Sequence, residues 1–70
     1  MENKQEICKA LLPVLQMTRN LFDLIGLVYD RADDGEEVVF AIFANGSVKR
    51  ANVNMDSGTA MIMDIIRQIV

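Results

Sequence analysis

The 70-residue sequence has no histidine and no tryptophan, a single cysteine and a single proline. Lacking histidine, it is without the commonest general base and the commonest metal ligand. One cysteine, Cys8, permits no intrachain disulfide, the usual staple of small secreted folds, and points to a reducing, cytoplasmic setting. Aromatics make up only 6% of the chain, as Phe22, Tyr29, Phe40 and Phe43, so a core must be built mainly from aliphatic residues and methionine. The longest apolar runs, Val38 to Ala44 and Leu24 to Tyr29, fall far short of the roughly 18 to 20 residues of a membrane span. A mixed-charge start and the interruptions at Lys9 and Pro13 argue against a signal peptide. There is no basic stripe of the kind that displaces counterions from phosphates, which speaks against nucleic-acid binding.

Apolar residues, at 51%, are plentiful, and a chain this short supports one core and one domain over residues 1–70. The net charge of −3 is concentrated: Asp23, Asp30, Asp33, Asp34, Glu36 and Glu37 stand against Arg31 alone in residues 23–37.

Asn3 with Glu6 three residues later has the form of a helix cap, and Cys8, Leu11, Leu12 and Leu15 then recur on one helical face. The spacing predicts a first helix to about Arg19, kinked at Pro13, where the ring collides with the Lys9 carbonyl. Leu24 to Tyr29 reads as a strand ended by the Asp34-Gly35 turn signal, although residues 21–25 also suit an extension of the helix. Glu36 to Phe43 and Ser47 to Val53 flank Asn45-Gly46, a strong hairpin signal. Asp56 and Ser57 are good caps for a last helix carrying Ala60, Met61, Ile62, Ile65, Ile66 and Ile69. The fold expected is α+β: α-β-β-β-α, a three-stranded antiparallel meander with both helices on one face.

A two-residue turn at Asn45 and Gly46 pairs Phe43 with Val48, Ala41 with Arg50 and Val39 with Asn52. The opposite face then holds Val38, Phe40, Ile42, Ala51 and Val53, is the more apolar, and should meet the helices. A three-residue loop with a bulge shifts the pairing by one and exchanges the faces of one strand. On the first register, Val39, Ala41, Phe43, Val48 and Arg50, together with Met63 on the outer side of the last helix, form an expected protein interface. A contiguous apolar surface of that size marks association, with a second copy or another protein.

No catalytic, cofactor or metal site is expected. Setting Asp30 at position one of a calcium loop puts Ala32 and Ala41 where oxygen ligands are needed, so residues 30–37 read as a solvated turn. Cys8 lies on the apolar stripe, as an inert buried thiol does. Ser57, Gly58 and Thr59 suit a plain helix start better than an anion site. Asp33, Asp34, Glu36 and Glu37 offer a second expectation, an acidic patch that binds a basic partner as a nucleic-acid mimic does.

Two stretches, Asn20 to Leu24 and Lys49 to Ile62, resemble segments of small uncharacterised proteins encoded by phages and prophages of Gram-positive bacteria. The resemblance carries no functional motif and transfers no site residue. It implies a bacterial or viral cytoplasmic setting and an accessory role.

Overall fold

Asn3 opens the first helix, α1 (Lys4–Gln16): its side chain accepts a hydrogen bond from the Glu6 amide at 3.1 Å, satisfying a donor the helix leaves unpaired. The structure, a computed structural model, describes residues 3–54 and 58–69. Pro13 sits inside α1, on its exposed side, without splitting it. The helix ends at Gln16, short of Arg19, because Thr18 is extended and donates its hydroxyl to the Leu15 carbonyl at 2.7 Å. A short 3-10 turn at Arg19–Leu21 follows.

Strands β1 (Leu24–Arg31), β2 (Glu37–Phe43) and β3 (Val48–Asn52) form one antiparallel sheet in sequence order, and α2 (Gly58–Ile69) completes the α-β-β-β-α layout. The expected caps Asp56 and Ser57 lie outside the described residues. α1 packs along β1 and α2 along β3, so both helices cover the same side of the sheet.

The β2–β3 register corrects the two-residue turn. Ile42 pairs with Val48, Ala41 with Lys49, Phe40 with Arg50, Val39 with Ala51 and Val38 with Asn52. The loop is Ala44-Asn45-Gly46: the Phe43 amide donates to the Ser47 carbonyl at 2.9 Å, and the Gly46 amide donates to the Phe43 carbonyl at 3.0 Å. Gly46 has φ +91°, a conformation natural to glycine, and it absorbs the extra residue as a bulge. A one-residue slip turns over every side chain of β2 relative to β3. Val39 and Ala41 are therefore 0% exposed and Phe43 7%, inside the core with Ala51 and Val53. They are not the open face.

A second irregularity lies in β1, where the register shifts between Leu24 and Gly26. The bulge lets Leu24 and Leu27, three residues apart, both reach the core, and it leaves Ile25 exposed. Cys8 and Leu15 of α1 and Met61, Ile65 and Ile69 of α2 close the core from above. Burial pushes the Cys8 thiol above its ordinary value, so its reactive thiolate is scarce at neutral pH. Among the described residues, no helix is long and apolar enough to cross a membrane.

Candidate interaction surface

The side of the sheet away from the helices is a three-by-three grid fixed by the strand pairing. Its rows, taken β1 to β3, are Asp30, Val38 and Asn52; Val28, Phe40 and Arg50; Gly26, Ile42 and Val48. Val38, Phe40 and Ile42 run down the middle, with Val28 and Val48 at the sides; Val38 is itself buried, at 3% exposure, although none of the five belongs to the cluster under the helices. Val48 is 56% exposed and Val28 is also exposed, while Phe40 and Ile42 are half-buried by their neighbours. Gly26 adds no side chain to its corner, where a Cβ would meet Ile42 in ordinary contact at 3.7 Å.

Charge is confined to the rim. Arg50 reaches Glu36 at 3.3 Å, and Asp30 accepts a hydrogen bond from the Arg31 amide at 2.9 Å. The expected interface is thus divided by the structure. Val48 and Arg50 do lie on the open face, Met63 is exposed on α2, and Val39, Ala41 and Phe43 are core. Their places are taken by Val38, Phe40 and Ile42, expected inside. Both sets are apolar, so hydrophobic pattern could not tell them apart; the only sequence signal was the loop length around Asn45-Gly46.

Both sheet edges are occupied by side chains from the helices. On β1, the Tyr29 amide donates to Gln5 at 3.3 Å, and Gln16 donates to the Leu24 carbonyl at 2.8 Å. On β3, the Asn52 amide donates to the Gln68 side chain at 3.0 Å, and Gln68 donates back to the Asn52 carbonyl at 3.1 Å. Edge strands invite pairing through unpaired backbone groups, and these contacts block it at the points where they fall. Docking by strand addition is disfavoured at those points, and the open face offers apolar surface without it.

The acidic residues do not make one exposed patch. Asp33 and Asp34 are exposed, but Asp34 accepts a hydrogen bond from the Glu36 amide at 3.0 Å, and Glu36 is engaged by Arg50. Glu37 is only 7% exposed and lies on the helix side, where Lys4 of α1 meets it at 2.9 Å and the Tyr29 hydroxyl donates to it. Arg31 stands 3.8 Å away. This cluster ties the start of α1 to the sheet, a role that no local sequence signal announces.

The hydrogen bond to Glu37, then burial, then the Glu37 charge push the Tyr29 hydroxyl above its ordinary value of 10.0, with Arg31 pulling the other way. A raised folded-state pKa gives stability that is whole below the unfolded value and is lost as pH rises through the folded one. Wild type is therefore expected to exceed Tyr29→Phe in urea midpoint by a constant margin from pH 7 to about 10. The margin should shrink at higher pH; a margin unchanged at pH 11 would contradict the Tyr29 to Glu37 bond.

Clefts among the described residues lie elsewhere. Ile7, Ala10, Leu11, Val14 and Ile62 line an apolar cleft of about 270 Å³ between the helices. Another, of about 310 Å³, lies between the 3-10 turn, the β2–β3 loop and the end of α2, where Lys49 is tied to the Ile69 carbonyl at 3.1 Å. Among the described residues, no three acidic or cysteine side chains are grouped to hold a metal ion. No family model, curated protein or solved structure matches the chain.

Proposed function

We propose that the chain is a small noncatalytic interaction module that self-associates through the open face of its sheet. The observation that carries this reading is the pair of half-buried residues Phe40 and Ile42, flanked by exposed Val28 and Val48, on a sheet whose other side already has both helices. An apolar face left in water is costly, and a second protein surface relieves that cost. The occupied strand edges favour face contact over strand addition. A phage or prophage accessory setting is the context taken from the resemblance of residues 20–24 and 49–62.

Three strands about 4.8 Å apart and some 20 Å long give a footprint of about 300 Å² in plane per copy, small for a specific interface. Association should accordingly be concentration-dependent. In sedimentation, the mass is expected to rise from the 7.8 kDa of one chain toward twice that value as concentration increases to about 1 mM, the millimolar end of the affinity scale. Phe40→Lys should stay monomeric while keeping the wild-type far-UV circular dichroism, because a lysine stem can lie along the sheet with its charge in water. A wild-type mass that stays at one chain throughout overturns the reading.

A further inference from the structure

We infer that the partner on the open face is a second copy lying with its β3 over β1 of the first, about a two-fold axis parallel to the strands. The inference rests on the self-association just proposed and adds the arrangement. Two sheets meeting face to face about an in-plane axis have two simple solutions, and the grid treats them differently.

With the axis across the strands, each residue of the middle row meets its own copy. Arg50 then faces Arg50, a like-charge contact in the central row, and Asp30 lies over Gly26, away from any cation of the grid. With the axis along the strands, β2 lies over β2 and the outer strands exchange. Arg50 of one copy lies over Val28 of the other, one row from Asp30, so its stem covers the valine and its guanidinium reaches the carboxylate. The two-fold makes this contact twice. Val48, exposed at one corner, comes over Gly26, which has no side chain to oppose it, at the other.

Glu36 is a further charge beside the grid, beyond its end and 3.3 Å from Arg50 of its own chain. In the strand-parallel arrangement the two Glu36 side chains lie near the axis. The crossing of about 30° between packed sheets moves them sideways by about 7 Å, in addition to the sheet separation of about 10 Å. Each also keeps its own Arg50 beside it. Opposite charges therefore meet in this arrangement, and like charges in the other.

The test is charge reversal with intermolecular rescue, read by sedimentation, each variant first checked for wild-type far-UV circular dichroism. Asp30→Arg and Arg50→Asp, each alone, should weaken self-association about tenfold, since each brings two like-charge contacts into the dimer. An equimolar mixture of the two should associate at least as well as wild type, because both contacts in the mixed dimer are again opposite in sign. If Asp30→Arg associates like wild type while Phe40→Lys remains monomeric, the arrangement falls and the face reading stands. If wild type does not associate at all, both fall.

Discussion

Val39→Asp is expected to leave the chain unfolded at 25 °C, whereas Val48→Asp should cost no more than about 1 kcal/mol. The two valines are both on strands of the same hairpin, and only register separates them. Val39 is 0% exposed, on the central strand beneath both helices, between Tyr29 and Ala51. An aspartate there loses about 2 kcal/mol of valine burial and strands a carboxylate without a partner, at several kcal/mol more. A 70-residue domain has only about 4 to 10 kcal/mol in total. Val48 faces water on an edge strand and tolerates a charge. Far-UV circular dichroism and urea titration of the two variants decide the matter. If both variants fold alike, the two-residue turn is restored, because that register puts Val39 and Val48 together on the open face.

The order of elements was legible because each has its own local signal: the Asn3 cap, the Asp34-Gly35 and Asn45-Gly46 turns, and the helical spacing after Gly58. The face of β2 was not legible. Val38 to Phe43 is apolar at every position, so period two gives no preference, and one residue of loop length decides which half is core. β3 was read correctly, with Ala51 and Val53 inward, since its polar partners Arg50 and Asn52 alternate with them. In β1 the bulge at Ile25 breaks the alternation and hides that Leu24 and Leu27 share a side. The bulge at Gly46 turns Val39, Ala41 and Phe43, on which the expected interface rested, into the core, and the open face carries half-buried Phe40 and Ile42 instead.

Glu37 shows the limit in another way. In sequence it is one more acid in a charged turn; in the fold it is the buried member of that run, held by a lysine 33 residues away. Lys4→Met is expected to cost about 2 kcal/mol, or about 10 °C in melting temperature for a domain of this size. Removing both partners in Lys4→Met with Glu37→Leu should cost clearly less. The asymmetry follows from desolvation. Without Lys4, Glu37 keeps its charge and the Tyr29 hydroxyl but loses its 2.9 Å cation, while Arg31 stands 3.8 Å away and largely in solvent. When both are replaced, neither charge of the Lys4–Glu37 pair remains to be desolvated, Arg31 stays in solvent, and two apolar side chains can pack where the pair stood. Thermal melts of the two single variants and the double variant measure the coupling. Should the single losses simply add, the pair is an ordinary surface contact, and the start of α1 is held to the sheet by Ile7, Leu11 and Leu12 packing against the core instead.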